Sequence, residues 1–195
     1  MKYKTNNLQV QRNLLIIDGS SLLVTNYYAN LPFDIMKAKM PEDAEKAYSK
    51  ILHTSDGKYT NAIYGFLAIL FKLLEEETPE YIAVAFDLKA PTARHKLYEG
   101  YKANRKGMPE ELRPQMPLLK KVLQAMNITT CELGGYEADD LLGTLATRAD
   151  AIGLAPIIVS GDRDLLQIAS DTITIKIPKT KGGSTTIESY NTADA

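Results

Sequence analysis

Three short apolar runs recur along the chain, and each is followed by an acidic or small polar residue. The runs are Leu14 to Ile17, Tyr81 to Phe86 and Pro156 to Val159. A continuous apolar run of this length is typical of a strand that is buried on both faces of a parallel sheet. We therefore predict three such strands, and Asp18-Gly19-Ser20 predicts a turn after the first.

Longer segments with apolar residues at helical spacing separate these strands. They cover about Thr60 to Glu77, Leu112 to Met126 and Glu137 to Ile152. Strands that alternate with helices predict right-handed crossovers and an α/β fold, in which helices flank a mostly parallel sheet. Ile128 to Leu133 and Ile173 to Ile177 are candidates for further strands, and Arg163 to Ala169 is a candidate for a short helix.

Two segments lack a clear period. Pro32 to Gly57 is rich in Lys, Met, Glu and Asp, and we interpret it as an excursion with one short helix. Ala90 to Pro109 is irregular and strongly basic. At the ends of the chain, residues 1–12 form a polar leader, and Thr192 is a candidate N-cap for a helix. We therefore expect one domain over residues 13–195.

The composition narrows the class of protein. With 195 residues, 45% of them hydrophobic and 24% charged, the chain is typical of a globular protein with one domain. Its single cysteine, Cys131, cannot form an internal disulfide, and no apolar run approaches the roughly 18 residues of a membrane span. We expect a cytoplasmic protein that does not bind a membrane. The formal net charge of -1 decides nothing about nucleic acid, since an acidic site can offset a basic surface.

Aspartates follow the three predicted strands. Asp18, Asp87 and Asp162 stand at or just after the carboxyl ends, where parallel sheets form ligand sites. Taken singly, each has a structural explanation, because Asp18 could be a turn residue and Asp162 could cap the following helix. Their repeated position after a strand favours a shared acidic cluster.

A second group of acids opens a predicted helix. Glu137, Asp139 and Asp140 lie within four positions, and the helix macrodipole stabilises each by only roughly 0.3 to 1 kcal/mol. Three acids exceed what capping requires, and they repel one another, more strongly if they share a cleft with Asp162 and Asp164. A cation would relieve that repulsion. Oxygen ligands favour Mg²⁺ or Mn²⁺, and paired ions of this kind catalyse phosphoryl chemistry.

Basic and aromatic residues are interleaved shortly after Asp87. The stretches are Arg94-His95-Lys96 and Tyr101-Lys102-Ala103-Asn104-Arg105-Lys106. Arginine and lysine can bind phosphates, and tyrosine can stack on an unpaired base, which is the usual composition of a groove for single-stranded nucleic acid. A solvated basic loop is the other interpretation. Proximity to an acidic cleft would favour phosphate binding.

Five ordered motifs between about Leu14 and Ile177 resemble those of the amino-terminal 5′ nuclease domain of bacterial DNA polymerase I and its free-standing flap endonuclease relatives. The motifs are Ile17-Asp18-Gly19-Ser20, Ala85-Phe86-Asp87 with Pro91 and Arg94-His95, Gly100 to Arg105, Gly135 to Asp140, and Ser160 to Gln167. The resemblance implies a PIN-like, resolvase-like α/β fold with a basic arch segment. It also implies a metal-dependent 5′ to 3′ exonuclease or flap endonuclease that acts on DNA with 5′ ends, flaps or branched junctions in replication and repair.

Matched position by position, the metal ligands of this family correspond to seven acids, some of them acting through water. They are Asp18, Asp87, Glu137, Asp139, Asp140, Asp162 and Asp164. The resemblance makes Lys102 and Arg105 the expected catalytic cations, in a reaction that leaves a 5′ phosphate and a 3′ hydroxyl. The expected DNA contacts are Arg94, Tyr101, Lys102, Arg105 and Lys106.

The resemblance ends with the sequence. Members of this family continue into a helix-hairpin-helix region that grips duplex DNA and supplies two further aspartates, and Asp194 matches neither of them. We therefore expect a domain that stops short of this region, with two Mg²⁺ or Mn²⁺ ions and an incomplete second site. A longer parent protein could carry a covalently linked polymerase.

Other functions fit the residues less well or remain open. A haloacid-dehalogenase-type phosphatase would need a second aspartate two residues after Asp18, where Ser20 stands. His53, His95 and Cys131 lack the spacing of a zinc site or of a nucleophile with its base, and no G-x-G-x-x-G follows a strand. A PIN-type ribonuclease and a non-catalytic DNA-binding fragment remain alternatives. Metal-dependent turnover would distinguish the second of these.

Overall fold

The centre of the molecule is a sheet of six strands. The computed structural model describes residues 12–37, 46–98, 100–102, 107–181 and 184–192. In chain order the strands are β1 (Asn13–Asp18), β2 (Tyr81–Ala85), β3 (Thr129–Cys131), β4 (Ala155–Val159), β5 (Thr174–Lys181) and β6 (Ser184–Tyr190). Their order across the sheet is β3-β2-β1-β4-β5-β6, and neighbouring strands are parallel except for β5 and β6.

Helices cover both faces of this sheet. They are α1 (Gly19–Ala29), α2 (Phe33–Lys37), α3 (Asn61–Glu77), α4 (Ala93–Leu97), α5 (Gln115–Ala125) and α6 (Ala138–Ala151), followed by a 3₁₀ helix (Arg163–Ile168). Leu15 and Ile17 of β1 belong to the apolar core with α1, α3 and α5, whereas Ile16 belongs to the core with α6. Because side chains alternate along a strand, burial on both faces explains the uninterrupted apolar run.

The elements predicted from the apolar pattern are confirmed, with their ends shifted by a few residues. This holds for the three strands, the three long helices, the two further strands and the short helix after Asp162. The α/β class and the mostly parallel sheet are also confirmed. None of the described helices is both long and apolar enough to cross a membrane.

The chain after Asp18 differs from the prediction, because α1 begins at Gly19 without an intervening turn. Asp18 Oδ1 accepts a hydrogen bond from the amide of Ser21 at 2.8 Å and so caps this helix. A Cβ atom at Gly19 would lie 2.5 Å from the Phe86 ring, so α1 can approach β2 this closely only through a glycine. The helix was missed because Asn26 occupies one of its buried positions and interrupts the apolar stripe.

Other differences lie towards the ends of the chain. β6 was not predicted, because its sequence is mainly polar and gains its place by antiparallel pairing with β5. The predictions for residues 1–11 and 193–195 fall outside the described residues, as does the 38–45 part of the excursion after Pro32. Within that excursion, α2 is the expected short helix.

A buried polar contact joins two of the helices beside the sheet. Gln115 Oε1 accepts hydrogen bonds from the amides of Ala62 and Ile63 at 2.9 and 3.3 Å, and Gln115 Nε2 donates to Asn61 Oδ1 at 2.9 Å. The first residue of α5 therefore caps the start of α3, a task that the side chain of Thr60 does not perform. This contact sets α5 beside the carboxyl ends of the strands.

Candidate active site

The carboxyl ends of β1, β2 and β4 border a cavity of about 800 Å³. Asp18 ends β1, Asp87 follows β2 by two residues, Asp139 belongs to α6, and Asp162 precedes the 3₁₀ helix. All four side chains line the cavity. The structure therefore brings the strand-end aspartates together with one of the acids from the start of the helix.

Asp18 is the most deeply buried of these four aspartates, with only 3% of its surface exposed. Its Oδ1 atom accepts the Ser21 amide at 2.8 Å, and its Oδ2 atom accepts the Ser160 hydroxyl at 2.7 Å. The pKa of Asp18 is raised to about 6, mainly by burial and to a smaller extent by the charges of Asp139 and Asp87, although the two hydrogen bonds act to lower it.

Asp87 and Asp139 meet where β2 ends and α6 begins. Asp87 Oδ1 accepts the amide of Ala138 at 2.8 Å, and the Asp87 amide donates to Ser20 Oγ at 2.9 Å. Burial and the charges of Asp162 and Asp87 raise the pKa of Asp139 above its ordinary value. Within the described ranges, no hydrogen bond or ion pair is formed to the Asp139 carboxylate, which leaves its oxygens available to a ligand.

Glu137 and Asp140 have different partners and do not line the cavity. Arg94 lies 3.0 Å from Glu137 Oε2 and 2.7 Å from Asp140 Oδ1, and Glu137 also accepts Tyr101 OH at 3.0 Å and Lys102 Nζ at 2.6 Å. Burial alone would raise the pKa of Glu137, but the donors, chiefly Lys102, lower it below its ordinary value. The hydrogen bond from Arg94 lowers the pKa of Asp140. Cationic side chains thus relieve the repulsion that the sequence implied for Glu137 and Asp140, whereas nearby negative charges still raise the pKa of Asp139.

Lys102 connects the two groups of acids, because it binds Glu137 and also lines the cavity. Its backbone has a φ of +57°, in the left-handed region. Its Nζ atom lies 5.1 Å from the centre of the Tyr101 ring, which stands edge-on to His95. His95 is partly buried, and its Nδ1 atom bonds to Thr92.

The remaining predicted residues are placed differently or cannot be placed. Asp162, which also lines the cavity, caps the 3₁₀ helix by accepting the Asp164 amide at 2.9 Å. This is the capping role that the sequence analysis gave as its structural explanation. Asp164 itself is exposed and does not line the cavity. Arg105 and Lys106 lie outside the described residues.

Several residues that line the cavity were missed in the sequence. They are Lys89, Arg113, Lys120, Ser20 and Ser21. Lys120 lies 4.9 Å from the centre of the Phe86 ring and pairs with Glu132. Arg113 and Lys120 are seven positions apart in a predicted helical segment. This spacing could have predicted that both lie on the same face. Nothing in the sequence marked the serines as partners of the aspartates.

The residues at the cavity fit a hard divalent cation by charge and by donor type. Carboxylate oxygens are the ligands that such ions prefer, and burial, together with repulsion between the carboxylates, raises the pKa of Asp18 and Asp139. In the described part of the chain, no three acidic, histidine or cysteine side chains are arranged to hold an ion together. Binding would therefore require other carboxylates, such as that of Asp139, to turn towards Asp18, whose two oxygens are held by Ser21 and Ser160.

Known proteins share this sequence and this fold. Residues 13–194 match the family described as 5′-3′ exonuclease, N-terminal resolvase-like domain. DNA polymerase I of Geobacillus stearothermophilus is 42% identical over 181 residues, which are 93% of this chain and 18% of the polymerase. DNA polymerase I of Caldicellulosiruptor bescii is 41% identical over 177 residues, which are 91% of this chain and 19% of the polymerase. The chain thus spans less than a fifth of these relatives.

Solved structures with low sequence identity share the fold. T5 5′-exonuclease with bound zinc superposes with a TM-score of 0.59 and 16% identity, over 92% of this chain and 58% of that protein. The catalytic core of Rad2 in complex with a DNA substrate superposes with a TM-score of 0.50 and 12% identity, over 95% of this chain and 49% of that one. The PIN-like fold that the motifs implied is thereby confirmed. By sequence and by fold, this chain belongs to the family of 5′-3′ exonuclease N-terminal, resolvase-like domains.

Proposed function

We propose that this chain is a metal-dependent 5′ nuclease that hydrolyses DNA phosphodiesters at 5′ ends or at flap junctions. The observation that carries the proposal is the cavity that four aspartates share with Lys102. Membership of the 5′-3′ exonuclease family supports it. The DNA polymerase I relatives support a role in DNA replication and repair.

The four aspartates of the cavity are the proposed ligands of Mg²⁺ or Mn²⁺. They are Asp18, Asp87, Asp139 and Asp162. When bound, such ions lower the pKa of water and stabilise negative charge on the attacking and leaving oxygens of a phosphodiester. Glu137, Asp140 and Asp164 stay candidates for contacts through water. The zinc bound to T5 5′-exonuclease supports a divalent cation as the occupant.

Cationic side chains at the same cavity would bind the phosphates. Lys102 lines the cavity and pairs with Glu137 beside it, and its ammonium group can offset charge that develops on the phosphate. Lys89, Arg113 and Lys120 line the cavity as well, so the phosphate backbone on either side of the cut bond meets positive charge. Arg105 and Lys106 stay predicted members of this surface.

The basic segment is proposed to hold the single strand that leads to the cut. The bonds of Tyr101 and Arg94 to Glu137, two positions before the cavity residue Asp139, support this role. Tyr98 exposes 68% of its surface area, so its ring is accessible to an unpaired base. DNA with a free 5′ end or a 5′ flap is therefore the proposed substrate.

The first experiment tests cleavage and binding with one labelled DNA that carries a single-stranded 5′ flap. The chain and its Asp139→Asn variant are incubated with it at low salt in Mg²⁺, in Mn²⁺ and in a chelator. The expected result is cleavage near the junction that requires metal and falls by at least about 100-fold in the variant. A single-stranded RNA of the same length serves as the control substrate.

Other outcomes lead to other functions. DNA that is bound but stays intact in both metals identifies a non-catalytic binding domain. Faster cleavage of the RNA identifies a PIN-type ribonuclease. If the chain neither binds nor cleaves either substrate, the proposed function is refuted.

A further inference from the structure

One buried hydroxyl contacts two of the cavity aspartates. Ser160 follows β4 and has none of its surface exposed. Its Oγ atom donates to Asp18 Oδ2 at 2.7 Å and accepts the Asp162 amide at 3.0 Å. A single side chain therefore connects the residue that ends β1 with the residue that caps the 3₁₀ helix.

These bonds restrain the Asp18 carboxylate at both oxygens. Oδ1 accepts the Ser21 amide at 2.8 Å, so the carboxylate cannot rotate without losing either that bond or the bond from Ser160. Each carboxylate oxygen has a further lone pair, and Asp18 lines the cavity. The hydrogen bonds thus leave lone pairs for a ligand while they set the orientation of the group.

Ser20 and Ser21, at the start of α1, form different hydrogen bonds from those of Ser160. Ser20 Oγ accepts the Asp87 amide at 2.9 Å, and Ser21 Oγ accepts the Gly161 amide at 3.3 Å. Both hydroxyls therefore contact the backbone. Among the described residues, Ser160 supplies the one hydroxyl that donates to a cavity carboxylate.

We propose that Ser160 is a positioning residue that orients the Asp18 carboxylate towards a divalent cation. The inference rests on the proposed function, since it concerns the same cavity. Groups that hydrogen-bond to metal ligands hold them in the geometry of binding, and their loss typically costs about 10- to 100-fold in metal affinity. A purely structural role would affect only stability, because the partly buried Asp162 amide would lose its acceptor.

Mn²⁺ binding without DNA separates these two roles. The affinity is measured by electron paramagnetic resonance for the unaltered chain, for Ser160→Ala and for Ile158→Val. The last variant trims a buried side chain of β4 without touching the hydroxyl, and urea unfolding shows how far each variant is destabilised. We expect Ser160→Ala to bind Mn²⁺ about 10- to 100-fold more weakly, and Ile158→Val to bind it like the unaltered chain.

Cleavage of the flap DNA gives a second measurement. In Ser160→Ala, the Mn²⁺ concentration for half-maximal cleavage should rise with the dissociation constant, and excess Mn²⁺ should restore most of the rate. If Ser160→Ala does not fold, Ser160→Cys replaces it with the same expectation, because a thiol is a weak hydrogen-bond donor.

The outcomes distinguish this inference from the proposed function. Unchanged Mn²⁺ affinity in a folded Ser160 variant overturns the positioning role while the nuclease proposal stands. Equal weakening in Ile158→Val also overturns it, because general destabilisation would then explain the loss. Failure of the unaltered chain to bind Mn²⁺ overturns both.

Discussion

Two groups of acids meet near the start of α6 and are held in opposite ways. The cavity group, Asp18, Asp87, Asp139 and Asp162, is bonded mainly by hydroxyls and backbone amides, and the pKa values of Asp18 and Asp139 are raised. The other pair, Glu137 and Asp140, is bonded by Arg94 and Lys102, and both pKa values are lowered.

The contrast shows that the partners of a carboxylate, more than its position in a motif, decide whether its charge is compensated. Neutral donors orient Asp18 and leave its charge uncompensated, so a cation would stabilise it. Charged donors compensate Glu137 and Asp140 and tie the basic segment to α6. We expect the cavity group to bind ions and the other pair to position the segment that carries Lys102.

Neutralising one acid from each group tests this contrast with the largest expected effect. Asp139→Asn should lower the single-turnover rate of flap cleavage by about 100- to 1,000-fold, because an ion contact contributes several kcal/mol to the transition state. Asp140→Asn should lower it by no more than about 10-fold, since it removes a partly exposed ion pair worth roughly 1 kcal/mol. Equal losses at saturating Mg²⁺ would show that the two acids act alike.

The buried charge of Asp18 should appear as a pH-dependent stability. Its pKa is about 6 when folded, against 3.8 as the ordinary value, so ionised Asp18 destabilises the fold by on the order of 3 kcal/mol. This destabilisation develops as the pH rises from about 4 to 6. Asp18→Asn should therefore be more stable than the unaltered chain at pH 8 in chelator, and the difference should vanish near pH 4.

Urea unfolding of both proteins across this pH range is the measurement. Asp164→Asn provides the control, because that side chain is exposed and should show little difference at any pH. An Asp18→Asn variant that is less stable at pH 8 would mean that the Asp18 charge is already compensated in the fold.

Lys102 is the residue that links the two groups, so its removal should affect both. Lys102→Met should slow cleavage by about 100-fold, as expected for loss of one preorganised cation near the reacting phosphate. Lys89→Met, at the same cavity, should slow it by less than about 10-fold, because Lys89 has no bond to the acids in the described ranges. Single-turnover rates at saturating DNA would reveal whether the two lysines are in fact equivalent.

The smallest expected effect concerns the tie between Arg94 and α6. Arg94→Gln should lower the free energy of unfolding by about 1 kcal/mol at pH 7, because Glu137 keeps Lys102 and Tyr101 as donors. The hydrogen bond from Arg94 holds the pKa of Asp140 below 3.8, so this stabilisation should be lost as the pH falls through that range. Arg94→Lys should recover part of it in the same urea titration.

Local sequence was sufficient for the framework of the site. The apolar runs identified β1, β2 and β4, and the aspartates that follow them border one cavity. This works because burial on both faces of a sheet needs only a run of apolar residues, and the ends of parallel strands meet at one edge. The motifs identified the family as well. α1 was missed where Asn26 interrupts the apolar stripe, and β6 exists only through pairing with β5.

The partners of the charged and polar groups were decided by the tertiary structure. Arg94 reaches Glu137 across 43 positions, and Ser160 reaches Asp18 across 142. Gln115 caps a helix that begins 54 positions earlier. The periodicity of apolar residues predicts which face of an element is buried. It does not predict which distant side chain will form a hydrogen bond there. The sequence alone therefore determined which acids could bind a cation, and only the packing of distant segments decided which of them are already neutralised.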